Sequence, residues 1–174
     1  RIICGVGSDE IIHFLCQAYA GPKDEVVYTE HGFLMYRISA MAAGATPVEV
    51  PERERTTDVD AILRACNRRT KLVFIANPNN PTGTRTSRED IFRLLREVPK
   101  DVLIVMDEAY IEFLEDPVDL IPEIRSGCQE NLLLCRTFSK IFGLAGLRLG
   151  YGIACPALIS AFEKVRQPFN INSI

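Results

Sequence analysis

Short runs of wholly apolar residues alternate along this chain with longer segments whose apolar positions recur at helical spacing. Ile2-Ile3-Cys4, Val26-Val27-Tyr28, Leu72-Val73-Phe74-Ile75-Ala76, Val102 to Met106 and Leu132-Leu133-Leu134-Cys135 are of the first kind. A strand with no polar position is one covered on both faces, as in a parallel sheet sandwiched by helices. Between these runs Ser8 is placed to cap a helix to about Ala20, stopped by Gly21-Pro22. Met35 to Ala43 before Gly44, Asp58 to Cys66, and a helix capped by Ser87 to about Glu97 follow the same logic. Pro47 to Val50 and Tyr151 to Ala154 read as further strands, and Pro156 opens a last helix to about Arg166. The alternation predicts one α/β domain with a sheet covered on both faces. In such sheets ligand groups collect where strands end and loops begin.

Composition narrows the function classes. A chain of 174 residues that is 47% hydrophobic can bury a sizeable core, and a formal charge of -3 leaves no nucleic-acid footprint. No apolar run reaches the length of a membrane span, and no signal peptide is visible. Six cysteines at 4, 16, 66, 128, 135 and 155 have no paired spacing, which favours buried reduced thiols in a cytoplasmic protein over disulfides or a metal site. The chain begins at Arg1 on a strand-like segment and stops at Ile174 after an extended PFNINS stretch. Both ends lead us to expect a piece of a longer protein.

Four segments carry candidate chemistry, each at a strand end. Gly5-Val6-Gly7-Ser8-Asp9-Glu10 leads into a helix and offers free N–H groups and a helix dipole to an anion. A dinucleotide loop would need glycine at position 10, which is Glu; alone, the segment is as readily a plain capped turn. Asn80-Pro81-Thr82-Gly83 is turn chemistry on any reading. Asp107 ends an apolar strand, where a carboxylate needs a cationic partner, and one of the many arginines is the structural candidate. Tyr110 stands three residues on. Thr137-Phe138-Ser139-Lys140 precedes a glycine-rich apolar loop that ends at Arg148. A desolvated lysine becomes neutral and nucleophilic, as a Schiff-base lysine must be, and Thr137, Ser139 and Arg148 together suit a phosphate. With five lysines against fifteen arginines, a lysine in this setting stands out. His13, His31, Tyr36 and Arg37 read first as structural residues.

Taken jointly, Asn79-Asn80-Pro81-Thr82-Gly83, Asp107-Glu108-Ala109-Tyr110 and Ser139-Lys140 with Arg148 eight residues on resemble the fold-type I pyridoxal 5'-phosphate enzymes, in the class I/II aminotransferase branch. Gly7-Ser8-Asp9-Glu10, the Thr137–Tyr151 run and Arg166-Gln167-Pro168-Phe169-Asn170-Ile171-Asn172 are most similar to the histidinol-phosphate aminotransferase group within it. The resemblance implies a three-layer αβα sandwich with a mostly parallel mixed sheet, residues 1–174 being the cofactor-binding large domain without the N-terminal arm and small C-terminal domain. It implies that Lys140 is the covalent attachment point and then the general acid/base, and that Asp107 pairs with the pyridinium nitrogen. Asn80 and Tyr110 would bond the ring's phenolic oxygen, and Phe33 would stack on the ring. The phosphate would take the N–H groups of Ser8 and Asp9, the hydroxyls of Thr137 and Ser139, and Arg148. Val6 departs from the asparagine usual in that group.

The resemblance further implies transamination between histidinol phosphate and 2-oxoglutarate in histidine biosynthesis. Its partners are small amino and keto acids, not nucleic acid or membrane, with a homodimer sharing active sites in the cytoplasm. The same cradle also serves aromatic-amino-acid aminotransferases and threonine-phosphate decarboxylases, because the residues that select the broken bond lie outside it. A non-catalytic aminotransferase-like effector domain of a regulator is the reading from another class, and the retention of every cradle residue weighs against it.

Overall fold

The computed structural model describes residues 1–173, and Ile174 at the end of the PFNINS stretch lies outside them. The chain runs through β1 (Ile2–Val6), α1 (Gly7–Tyr19), β2 (Glu25–Thr29), α2 (Met35–Ala42), β3 (Thr46–Val50) and a small hairpin of β4 (Glu52–Arg53) and β5 (Thr56–Thr57). It continues with α3 (Val59–Ala65), β6 (Thr70–Ala76), α4 (Arg88–Glu97), β7 (Leu103–Asp107), α5 (Ile121–Ser126), β8 (Leu132–Thr137), β9 (Leu149–Ala154) and α6 (Pro156–Phe162). Seven strands form one sheet in the order β1-β9-β8-β7-β6-β2-β3. All pairings from β3 across to β8 are parallel, whereas β9 is antiparallel to both β8 and β1. The sheet is therefore mixed and mostly parallel.

Strand parity divides the apolar runs between two cores. Leu72, Phe74, Leu103, Val105, Leu133 and Cys135 pack with Ile11, Leu15 and Ala40 of α1 and α2 and with Phe162 of α6. Val73, Ile75, Ile104, Met106, Leu132 and Leu134 pack with Ile62 of α3, Leu94 of α4 and Ile124 of α5. Successive side chains of a strand point to opposite faces, so a run with no polar residue feeds both layers at once. The result is the three-layer sandwich. Truncating a residue such as Leu134, which is fully buried, to alanine is expected to cost about 2–5 kcal/mol.

Asp58 and Ser87 cap α3 and α4, accepting the backbone N–H groups of Ala61 at 3.1 Å and Asp90 at 3.1 Å. Ser8 does not cap α1. The helix begins two residues earlier than that cap would set it, at Gly7, with Val6 in the cap position and no side-chain cap. Glu10 turns back instead, its carboxylate accepting the Val6 N–H at 2.8 Å. Gly44 closes α2 in the left-handed region, with φ +79°. The last helix stops at Phe162, short of Arg166. α5 is an element that the sequence pattern does not announce: six residues, with a proline in the first turn and the left-handed Gly127 after it, are too few for a helical period to show.

Arg166 donates to Asn170 Oδ1 at 3.0 Å. Asn170 Nδ2 in turn donates to the Cys4 carbonyl and to Glu10, at 3.3 and 2.7 Å. The segment after α6 is thereby tied to the turn between β1 and α1. All six cysteines are free thiols; Cys16, Cys135 and Cys155 are buried, Cys4 and Cys66 half-buried, and Cys128 is exposed beside the Gly127 turn rather than packed in a core. Among the described residues no helix is long and apolar enough to cross a membrane.

Candidate functional site

The strands β6, β7 and β8 end side by side, and their C-terminal ends open onto one cleft. Lys140, Ser8, Asp9, Phe33, Asn80, Asp107, Tyr110, Thr137, Ser139 and Arg148 all line it, together with Gly7, Ala76, Pro78 and Ala109. Each residue to which the resemblance assigns a role thus lines the same cleft.

Positive character gathers where β9 passes the start of α1. The uncapped helix presents its first-turn N–H groups to the cleft, with Asp9 and Glu10 in that turn. Close approach here requires glycine twice. Gly7 has φ +74°, and a Cβ on it would lie 2.9 Å from the Arg148 guanidinium. A Cβ at Gly150 would overlap the Gly7–Ser8 backbone, 2.5 Å from the Ser8 nitrogen. Arg148, itself left-handed at φ +51°, accepts the Gly7 N–H on its carbonyl at 3.1 Å. Its guanidinium donates to the Ala145 carbonyl at 3.2 Å and, among the described residues, has no carboxylate partner. Thr137 Oγ1 lies 3.0 Å from Ser139 Oγ and accepts the Ser139 N–H at 3.2 Å, which holds the two hydroxyls together.

Negative charge is placed differently. Asp107 continues the parity of Leu103 and Val105 and so faces the α1–α2 layer, where it is 5% exposed. Its Oδ1 accepts the Ala109 N–H at 3.2 Å, and its Oδ2 accepts the hydroxyl of Tyr36 at 2.7 Å. Burial pushes this carboxyl up from the usual range, while Tyr36 and Ala109 pull it down. Glu108 has the opposite parity and pairs with Arg136 at 2.7 Å. Burial pushes Glu108 up to about 7 against the pull of Arg136. The structural ion pair that the sequence offers for Asp107 therefore belongs to its neighbour. Among the described residues no cationic side chain is bonded to Asp107, and a buried carboxylate in that condition favours a cationic ligand.

Tyr36 is the contact of this carboxylate that the sequence does not announce. A tyrosine among the apolar positions of α2 reads as core, and its bond to Asp107 crosses 71 residues of sequence. Lys140 also departs from expectation. The glycine-rich loop after it is not buried: Ile141, Phe142 and Leu144 are 46%, 49% and 43% exposed, and Lys140 itself is exposed. The loop leaves the sheet at the end of β8, where nothing among the described residues lies over it. Lys140 Nζ sits 5.1 Å from the centre of the Tyr110 ring. Phe33 is half-buried at the cleft wall, edge-on to Tyr36 with ring centres 5.9 Å apart. His13 is half-buried on α1, and His31 turns its Nδ1 to Glu52 at 3.0 Å rather than into the cleft.

The cleft can do three things chemically. It can hold a multiply charged anion between a helix N-terminus, two hydroxyls and an arginine. It can pair a buried carboxylate with a cation, and it presents a primary amine beside an aromatic ring.

Comparison with known proteins shows the family and the fold. Residues 1–174 match the family model described as aminotransferase class I and II. The histidinol-phosphate aminotransferase of Cereibacter sphaeroides is 57% identical over 176 residues, covering 99% of this chain and 47% of that protein. The chain thus spans about half the length of the relatives it matches. The structure of histidinol-phosphate aminotransferase from Sinorhizobium meliloti in complex with pyridoxal-5'-phosphate superposes with a TM-score of 0.89 at 31% identity, over 95% of this chain and 45% of that one. L-threonine-O-3-phosphate decarboxylase from Porphyromonas gingivalis shares the fold at a TM-score of 0.83 and 22% identity, over 99% and 50% of the two chains. With a cradle of this composition and a family match across its whole length, the chain belongs to the class I and II aminotransferases.

Proposed function

We propose that this chain is the cofactor-binding large domain of a pyridoxal-phosphate-dependent aminotransferase that acts on histidinol phosphate and 2-oxoglutarate in histidine biosynthesis. The single observation that carries the reading is a cleft joining Arg148, which has no carboxylate partner among the described residues, an uncapped helix N-terminus and a buried Asp107 around Lys140. The residues fit the cofactor: Arg148, Thr137, Ser139 and the N–H groups of Ser8 and Asp9 suit a phosphate dianion. Asp107 suits a pyridinium N–H, Asn80 and Tyr110 suit a phenolic oxygen, and Phe33 offers an aromatic face. The substrate choice rests on the 57% identity to the Cereibacter sphaeroides histidinol-phosphate aminotransferase.

When bound, pyridoxal phosphate supplies an aldehyde and an electron-withdrawing ring that acidifies the substrate's Cα–H. The chain's own residues do the rest. Lys140 supplies the primary amine that holds the cofactor and, once free, takes and returns the proton at its Nζ. Asp107 keeps positive charge on the ring nitrogen, a task for which an anion shielded from water is well suited. Arg148 and the hydroxyls of Thr137 and Ser139 fix the phosphate, so that the amine meets a held partner and not a diffusing one. Tyr110 lies against Lys140 and, with Asn80, limits where the phenolic oxygen can sit. The full-length protein is read as a cytoplasmic homodimer with shared active sites, working on small amino and keto acids.

Single-turnover rates of the full-length protein with histidinol phosphate and with phenylalanine test the substrate. Faster reaction of histidinol phosphate is expected, and faster reaction of phenylalanine would replace it with an aromatic aminotransferase. Release of carbon dioxide from threonine phosphate would instead make the protein a decarboxylase.

A further inference from the structure

We propose that Tyr36 is a positioning residue of this cleft: its hydroxyl aims the Asp107 carboxylate while its ring braces Phe33, so one buried side chain governs two of the contacts offered to a pyridine ring. The inference rests on reading the cleft as a pyridoxal-phosphate site. Tyr36 is 1% exposed. Its ring stacks on Phe74 with centres 4.7 Å apart and planes 5° from parallel, and Phe33 and Tyr28 close in at 5.9 and 6.5 Å. A side chain enclosed in this way cannot turn its hydroxyl to water, so the 2.7 Å bond to Asp107 Oδ2 is where its proton resides. Asp107 in turn has the Ala109 N–H on Oδ1 and, among the described residues, no donor on Oδ2 besides Tyr36.

Removing the hydroxyl would therefore leave a buried carboxylate oxygen without a donor among the described residues. Several charged or titratable groups face Asp107. Asp9 on α1 raises its carboxyl and Lys140 after β8 lowers it, both more weakly than burial raises it and Tyr36 lowers it. Cys135 on β8 is a thiol that burial keeps protonated, and Glu108, next in sequence, is occupied by Arg136. Of these groups Tyr36 does most to keep Asp107 ionised. An ionised Asp107 is the form that holds a ring N–H.

Tyr36→Phe in the full-length protein keeps the ring and its packing and removes only the O–H. The measurement is the dissociation constant for pyridoxal phosphate between pH 5 and 8, for wild type and variant, with melting of the cofactor-free proteins as a control for folding. Loss of a charge-assisted bond predicts binding about ten-fold weaker at the acid end. The gap should narrow toward neutrality, because the pH at which acid abolishes binding moves up by about one unit in the variant. Tyr36→Leu, which also removes the brace on Phe33, is expected to bind more weakly than Tyr36→Phe across the whole range. Wild-type affinity in Tyr36→Phe overturns the proposal. So does uniform weakening with the acid limb unmoved, the result that a packing defect alone would give. A wild-type protein that binds no pyridoxal phosphate overturns the cofactor reading and this inference with it.

Discussion

Around Arg148, positive charge stands exposed beside a helix N-terminus, whereas around Asp107 a single negative charge is shut inside the protein among aromatic rings. The first anchor is made of many modest donors, several from consecutive residues: backbone N–H groups of α1, hydroxyls at the end of β8, and one guanidinium. The second depends on one carboxylate, held by Tyr36 from a different helix. Arg148 is exposed and Ser139 half-buried, so water partly screens them, and with several donors gathered on one group the loss of any one is partly made up by the rest. A desolvated charge has no such reserve, because the low dielectric that weakens an unmet group also strengthens a met one.

This contrast orders the expected effects of substitution. Asp107→Asn removes the buried charge while keeping the side chain's size, and should lower turnover of the full-length protein about 10³-fold with circular dichroism unchanged. Turnover within ten-fold of wild type would mean that the ring nitrogen does not depend on this anion. Arg148→Ala should weaken pyridoxal-phosphate binding about 100-fold, by loss of a charge-assisted, two-pronged contact. Inorganic phosphate should compete with the cofactor in wild type and much less in this variant. Equal competition in both would move the phosphate elsewhere.

The neighbouring carboxylates sharpen the comparison further. Burial lifts Glu108 from 4.5 to about 7, so the folded protein binds a proton there that the unfolded chain has already released. The contribution of Glu108 to stability then falls as pH rises from about 4.5 to 7. Glu108→Gln, measured by urea unfolding of the cofactor-free full-length protein, should lose about 2 kcal/mol less than wild type between pH 5 and 7.5. A parallel pH dependence in the two proteins would place Glu108 in its ordinary range, held there by Arg136. The smallest effect belongs to Ser139→Ala, which removes one half-buried hydroxyl among several donors and should raise the cofactor's dissociation constant about five-fold.

The two anchors also differ in how far they can be read from sequence. Ser8-Asp9 and Thr137 to Arg148 are local runs whose residue types state their chemistry, and the cleft brings them together. Asp107 is equally visible at the end of its apolar strand, but its hydroxyl partner is not. Tyr36 occupies a core position of α2, and only the packing of α2 over β6 and β7 turns it toward the carboxylate. The division of labour between Asp107 and Glu108 follows from strand parity once Val105 and Met106 are assigned to opposite layers. Two local readings fail for physical reasons. Ser8 fits a cap by type, yet the left-handed Gly7 starts the helix two residues earlier and Glu10 satisfies the Val6 N–H. The apolar loop after Lys140 suggests burial, yet hydrophobicity alone does not say what lies over a loop at the end of a sheet.

The central claim is that Lys140 is the amine to which the cofactor is bound, between these two anchors. Borohydride reduction of the full-length protein loaded with pyridoxal phosphate, followed by peptide mapping, tests it directly. The account predicts a single pyridoxyl modification on the peptide containing Ser139-Lys140; modification of another lysine, or of none, would contradict it.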